Sequence, residues 1–265
     1  MSLRIQNNVE ALGAHRNLTQ TSALMARSME RLSSGFRINR AADDAAGLAI
    51  SERMRSQVRG LAQTTRNIQD GVSLVQTAEG NLDEVHSMLQ RVRELAVQYK
   101  NGTLSTSDKA AIQTEVNQLA SEIERIGTSA KFNGITLLAT DGAVTFQVGV
   151  DDNETITVST ISLGSTVGSF ASLTDSNAIS AIDAAITAVS SARATFGAVQ
   201  NRLEHSLSAT SIYRENLVAA ESRIRDVDMA AEMVTLTKYQ ILQQAGTAML
   251  AQANQAPQSV LALVR

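Results

Sequence analysis

The chain has 265 residues, a net charge of −3, one proline, no tryptophan and no cysteine. Its core must be built from aliphatic side chains and alanine, because aromatic residues, which usually supply much of the buried area, are scarce. The missing cysteines exclude disulfides and thiolate metal sites. No stretch approaches the roughly 18 apolar residues of a membrane span, and residues 1–20 lack the apolar segment of a signal peptide. From composition alone we expect a cytoplasmic protein without a membrane anchor.

Positive charge is concentrated in residues 1–66, which hold ten arginines and five acidic residues. This asymmetry occurs in proteins that bind nucleic acid or anionic lipid, but it is more often a solvated or interface face. A nucleic-acid-binding coiled coil therefore stays a rival hypothesis. It predicts a steep salt dependence of DNA binding.

The first predicted element is an amphipathic helix near the N-terminus. Ile5, Val9 and Leu12 are spaced by four and three residues, as on one face of a helix. Gly35 follows this stripe, and a glycine after a helical stripe commonly caps the helix C-terminus. We expect a break to continue through residue 44 and a second helix to begin there.

Two long heptad runs dominate the chain, one in each half. Apolar residues repeated every seven positions indicate long helices that bury a narrow seam against other helices. We expect these helices over about 45–99 and 177–225, and the first would be roughly 80 Å long. The predicted buried positions, which we call the heptad core, are Leu61, Ile68, Val75, Leu82, Leu89, Ile182, Val189, Phe196 and Leu203.

A shorter helix and a β signature lie between the two runs. Apolar residues at alternating spacings of four and three predict a helix over 112–127. Residues 144–150 and 156–158 alternate apolar with polar, and turn-forming residues at 151–153 separate them. This pattern predicts a β-hairpin, followed by a loop over 159–177.

These patterns predict a mainly α protein, a long antiparallel helical rod like a coiled-coil bundle, with a small β-hairpin at its distal end. Both chain ends are amphipathic and neither has an obvious core to join within the monomer. We therefore expect neighbouring copies to cover them. The predicted polymerisation seam is Ile5, Val9, Leu12, Val227, Val234, Ile241 and Leu250.

No pattern indicates catalysis, a cofactor or a metal site. The histidines His15, His86 and His205 stand apart, and the helical zinc motif and the glycine-rich phosphate motifs are missing. Acidic clusters at 43–44 and 151–154 fit a helix N-terminus and a hairpin turn better than a calcium loop. We expect a protein that is not an enzyme.

Long segments at both ends resemble bacterial flagellin. They are LSSGFRINRAADDAAGLAISERMRSQVRGL at 32–61, NIQDGVSLVQTAEGNLDEVHSMLQRVRELAVQ at 67–98 and RIRDVDMAAEMVTLTKYQILQQAGTAMLAQANQAPQSVLALVR at 223–265. The resemblance implies a non-catalytic structural subunit that self-assembles into the flagellar filament used for motility.

The resemblance also implies a domain division. Residues 1–43 with 226–265 would form the inner terminal-helix domain at the filament core. Residues 44–225, with the hairpin near 133–160, would form the surrounding helical domain, and no outer variable domains would follow. The alternative is the hook–filament junction protein, which shares terminal blocks with flagellin. The closeness of the C-terminal block argues against that alternative.

Partners and location follow from the same resemblance. The chain would pass through the flagellar type III export apparatus without a cleaved signal peptide and polymerise with its own copies in the extracellular filament. A flagellar export chaperone, the filament cap protein and the hook-junction protein would bind it, and no nucleic acid or membrane would. Toll-like receptor 5 recognises some flagellins. The matching positions are Arg91, Leu95 and Glu115, although Leu119 stands where receptor-active relatives often have Arg.

Overall fold

The computed structural model describes residues 8–164, 172–174 and 177–263, with side chains described as far as residue 255. The helices of this range are α1 (Val9–Ser34), α2 (Ala45–Tyr99), α3 (Thr106–Ser129), α4 (Ala178–Arg225) and α5 (Met229–Leu263). The strands are β1 (Lys131–Phe132), β2 (Ile135–Thr136), β3 (Gly142–Gln147) and β4 (Thr155–Thr160). The prediction of a mainly α fold with a small β element is confirmed.

The chain forms two compact units. Unit 1 consists of Met1–Ser56 and Asn216–Arg265, and unit 2 consists of Gln57–Glu215. The division predicted from the sequence lies at breaks between helices, after residues 43 and 225. The boundaries of the compact units lie within α2, after Ser56, and within α4, after Glu215.

Local hydrogen bonds determine where the first helices begin and end. The side-chain oxygen of Asn8 accepts a hydrogen bond from the Ala11 N–H at 3.0 Å, and Asp44 accepts one from the Gly47 N–H at 2.8 Å. Such bonds satisfy amide groups that have no partner inside the helix. Gly35 ends α1 with a φ of +75°, which glycine adopts without steric cost. The predicted cap at Gly35 and the helix-start role of Asp44 are confirmed.

The core of unit 2 lies where α2 and α4 pack antiparallel. Arg93 binds Asp183 at 2.6 Å and Asp83 binds Arg193 at 2.9 Å. Residue numbers therefore increase along α2 in the direction in which they decrease along α4. All nine residues of the heptad core are buried. The burial of each of these side chains contributes roughly 2 kcal/mol to the stability of the folded protein. The contact between α2 and α4 is therefore the main source of stability in unit 2.

The β3–β4 hairpin lies alongside α2, and its predicted place at the distal end of the helices is wrong. Three contacts follow one another from the C-terminal towards the N-terminal part of α2. Glu115 of α3 binds Arg91. Further along, Phe146 lies next to Gly71 and Val150 lies next to Gly60. The reason is α3, which leads the chain back along α2 before the hairpin begins.

The hairpin pairing follows the alternation seen in the sequence. Val144 pairs with Val158 and Phe146 with Ile156, in antiparallel register. Ile156 and Val158 are buried on the face of β4 that joins the core of unit 2. The predicted turn is confirmed, because residues 151–153 lie between the two strands. The two-residue pair β1–β2 was not predicted.

Two glycines of α2 make room for the hairpin. A Cβ atom at Gly60 would lie 2.9 Å from the Val150 side chain, and one at Gly71 would lie 3.3 Å from the Phe146 ring. Gly80 is exposed, and a Cβ atom there would have no neighbour within 4 Å. The helix is unbroken at all three sites, so Gly60 and Gly71 serve close packing.

We expect Gly60→Ala and Gly80→Ala to change stability in opposite directions. Alanine at Gly80 should raise the free energy of unfolding by about 0.5–1 kcal/mol, because glycine costs about that much in a helix interior. Alanine at Gly60 should lower it, because the Val150 methyl group must move. Urea unfolding followed by circular dichroism measures both. Equal stabilisation by the two substitutions would contradict the packing role of Gly60.

Candidate functional site

The paired terminal helices of unit 1 form the candidate site. The Asn8 side-chain amide donates to the Ala253 carbonyl at 2.8 Å, and the Ser28 hydroxyl donates to the Glu232 carboxylate at 2.5 Å. The N-terminal end of α1 therefore lies beside the C-terminal part of α5, and the C-terminal part of α1 lies beside the N-terminal end of α5. The two helices run antiparallel. Leu18 contacts Gly246 between these two points.

A polar cluster fixes the register of this pair. Glu232 accepts the Ser28 hydrogen bond and also lies 3.9 Å from the Arg31 guanidinium. Ser28 is buried, and the Glu232 side chain is mostly shielded from water. A shielded carboxylate is costly unless it is hydrogen-bonded or paired, so sliding one helix along the other would be penalised.

The pair leaves most of its apolar surface uncovered. Ser28 is the only described residue of α1 that is buried. Leu12 is 62% exposed, Val234 72% and Ile241 60%. We call the exposed large apolar residues of the two helices the terminal apolar face: Val9, Leu12, Met29, Met229, Met233, Val234, Ile241, Leu242 and Met249.

Two surface features shape this face. A shallow depression on α5 is bordered by Val234, Lys238 and Ile241. A groove between α1 and α5 is lined by small residues, including Gly13 and Gly246. A Cβ atom at Gly13 would have no neighbour within 4 Å, whereas the Leu18 side chain occupies the space beside Gly246.

Arg225 connects the other segments of unit 1. Its guanidinium binds Glu52 at 2.7 Å and lies 4.8 Å from the centre of the Phe36 ring. The side chain is 12% exposed, and its Nε is buried without a hydrogen-bond partner. The hydrogen bond from Arg225 is the main reason why the pKa of Glu52 lies below its ordinary value, with further lowering by the charge of Arg55.

Backbone hydrogen bonds complete this connection, which we call the Arg225 clamp. The Arg37 N–H donates to the Arg225 carbonyl at 2.6 Å, and the Val227 N–H donates to the Gly35 carbonyl at 3.0 Å. The Arg37 guanidinium also donates to the Ile224 carbonyl at 2.5 Å. The clamp therefore joins the segment after α1 to the segment before α5.

The predicted seam residues differ in exposure. Val9, Leu12, Val234 and Ile241 belong to the terminal apolar face. Val227 and Leu250 are half-buried. Ile5 lies outside the described residues.

One of the predicted receptor positions is not at the surface. Arg91 and Glu115 are exposed and form an ion pair at 3.0 Å. Leu95 is 2% exposed and lies in the core of unit 2. Its heptad-like spacing places it on the buried side of α2. Leu119 is half-buried against the same core.

The sequence did not predict the two polar contacts of unit 1, which are the Ser28–Glu232 cluster and the Arg225 clamp. Ser28 lies among both apolar and polar residues of α1, and nothing in the sequence identified Glu232 as its partner. Arg225 and Glu52 are 173 positions apart and belong to different helices. No periodicity connects such residues, so only the fold could bring them together.

In the described part of the chain, no group of three or more histidine, cysteine, aspartate or glutamate residues could hold a metal ion. No described helix is long and apolar enough to cross a membrane.

Comparisons with known proteins agree on one family. The model described as bacterial flagellin N-terminal helical region matches residues 5–143, and the bacterial flagellin C-terminal helical region matches 179–264. A flagellin from Halalkalibacterium halodurans is 53% identical over 270 residues, covering 98% of this chain and 99% of the relative.

Solved structures agree with this result. The crystal structure of Bacillus cereus flagellin has a TM-score of 0.51 and 33% identity, over 55% of this chain and 88% of that one. A putative flagellar hook-associated protein from Vibrio parahaemolyticus has a TM-score of 0.52 over 69% of this chain and 100% of its own, but only 16% identity, so it shows the fold alone. The chain therefore belongs to the bacterial flagellin family and is a structural subunit of the flagellar filament.

Proposed function

We propose that this subunit polymerises through the terminal apolar face. The observation that carries the proposal is the imbalance of burial in unit 1: nine large apolar side chains are exposed on helices whose α1 buries only Ser28 among its described residues. Exposed apolar patches of this kind mark surfaces that another protein covers. Copies of the same chain supply that cover in a filament.

Polymerisation in this scheme is coupled to ordering of the terminal helices. Their mutual packing buries too little apolar surface to offset the entropy of fixing them, and contact with neighbours supplies the remainder. Contacts between different surfaces of successive copies do not close into a ring and so extend a filament. Residues 1–43 and 226–265 then form its inner domain, with 44–225 around them. The chain has a structural role and no catalytic one.

Two alternatives have less support. The hook–filament junction protein is not favoured, because both family models and the H. halodurans relative are flagellins. The nucleic-acid hypothesis rested on the positive charge of residues 1–66. Five of the ten arginines in residues 1–66 bind acceptors within the chain: Arg31, Arg37, Arg40, Arg55 and Arg66.

Family membership also supports a set of partners and a route out of the cell. The subunit leaves through the flagellar type III apparatus without a cleaved signal peptide. The export chaperone covers its C-terminal segment beforehand, and the cap protein and the hook-junction protein bind it at the filament tip and base. The absence of cysteine is compatible with passage as an unfolded chain.

Recognition by Toll-like receptor 5 is a further proposal from the family resemblance. Arg91 and Glu115 offer an exposed ion pair on neighbouring helices of unit 2. Leu95, the third matching position, is buried in the core of unit 2.

We expect Val234→Lys to prevent polymerisation. Burying an unpaired ammonium group against a neighbour costs several kcal/mol, and Lys238, one helical turn away, has the same charge and cannot pair with it. In the free subunit Val234 is 72% exposed and tolerates a charge. Sedimentation and negative-stain microscopy of the purified protein measure filament formation. Gln240→Lys is the control, since this nearby exposed residue lies outside the depression on α5. Normal filaments from Val234→Lys would overturn the proposed surface.

We expect the Arg225 clamp to stabilise the filament in a pH-dependent way. The pKa of Glu52 is lowered in the folded protein, so its contribution is present above the ordinary value of 4.5 and is lost as the pH falls through the folded value. Glu52→Gln should therefore lower the dissociation temperature of filaments at neutral pH, and the difference from the wild type should shrink below pH 4.5.

Light scattering during heating measures this difference. Glu221→Gln serves as the control, because the Glu221 carboxylate has no ion pair among the described residues, and it should match the wild type at neutral pH. A Glu52→Gln difference that grows on acidification would contradict the role of the clamp.

A further inference from the structure

The charges of α5 are few and unequal in their surroundings. In its 35 residues α5 carries one carboxylate, Glu232, and one cation, Lys238. Glu232 is satisfied within the subunit by Ser28 and Arg31. Lys238 is exposed, has no hydrogen bond or ion pair among the described residues, and borders the apolar depression beside Val234 and Ile241.

A neighbour that covers this depression also removes water from around Lys238. Burying an ammonium group without a carboxylate or other acceptor is strongly unfavourable. The covering surface must therefore offer an anion at this level of α5.

Within the described part of the terminal helices, one carboxylate is free to serve. Glu30 of α1 binds Arg40, and Glu232 of α5 is satisfied as described. Glu10 is exposed and has no hydrogen bond or ion pair among the described residues. It borders the groove between α1 and α5, whose small residues leave space for a neighbouring helix.

Glu10 and Lys238 cannot meet within one subunit. The Asn8 hydrogen bond places the start of α1 beside Ala253, and Glu10 lines the groove with Gln252. Lys238 is about four turns of helix away from this level, or roughly 20 Å along α5. A second copy displaced along the helix axis by that distance would bring the two charges together.

We propose that Lys238 of one subunit forms an ion pair with Glu10 of a neighbouring subunit, as the apolar depression of α5 is covered by the edge of that neighbour's groove. This inference rests on the proposed polymerisation surface and names its register contact. The apolar residues supply the burial, and the pair selects one axial offset among those that burial alone would allow.

Charge reversal tests the pair. Glu10→Lys and Lys238→Glu should each raise the critical concentration for polymerisation at least about tenfold, because each leaves like charges in a shielded contact. The double variant with both reversals should return to within about threefold of the wild type. Gln20→Lys combined with Lys238→Glu is the matched control and should show no recovery, since it places a cation at an exposed position of α1 outside the proposed contact.

Zero-length carbodiimide cross-linking tests the contact in the unaltered protein. Filaments grown from a mixture of isotopically labelled and unlabelled subunits should yield a Glu10–Lys238 amide that contains both labels. Lys238 is one of only four lysines, so its cross-linked peptides are readily assigned by mass spectrometry. Linkage of Lys238 to a different carboxylate, or no recovery in the double variant, would overturn the pair. Failure of the wild type to polymerise at all would instead overturn the proposed function.

Discussion

The terminal helices have more apolar surface than they can bury against each other, and unit 1 depends on this constraint. A single described residue of α1 is buried, although the helix has 26 residues. Polar contacts stand at both ends of the α1–α5 pair, the Asn8 bond at one end and the Ser28–Glu232 cluster at the other. Polar contacts of this kind set a register at little cost in apolar surface. Nine large apolar side chains of the two helices stay exposed in the subunit.

Unit 2 has the opposite character. Its heptad core is fully used within the subunit, and the hairpin adds Ile156 and Val158 to the same core. The glycines of α2 permit this addition by letting β-strand side chains reach the helix. Unit 2 therefore buries a large apolar core within the subunit, whereas unit 1 leaves the terminal apolar face exposed. Both units are largely helical. They differ more in how far their apolar side chains are buried within the subunit than in helix content.

Much of this architecture is readable from local patterns. Heptad spacing located the buried side of α2 and α4, and the alternation around residues 151–153 located the hairpin turn. The path of the chain could not be predicted from the sequence, because the residue spacing that predicts α3 does not indicate which helix α3 packs against. The Arg225 clamp was missed because its members are distant in sequence and follow no repeat.

The clamp and the terminal pair also join residues that are very far apart in the chain. Arg37 reaches a partner 187 positions away, and Asn8 reaches one 245 positions away. Closing loops of that size costs entropy that shorter contacts do not, and it requires nearly the whole chain to be available. Because synthesis proceeds from the N-terminus, the α1–α5 contacts cannot form until almost the entire chain has been synthesised. The first helix to be made is thus among the last to find its partner, and it remains open to other binders until then.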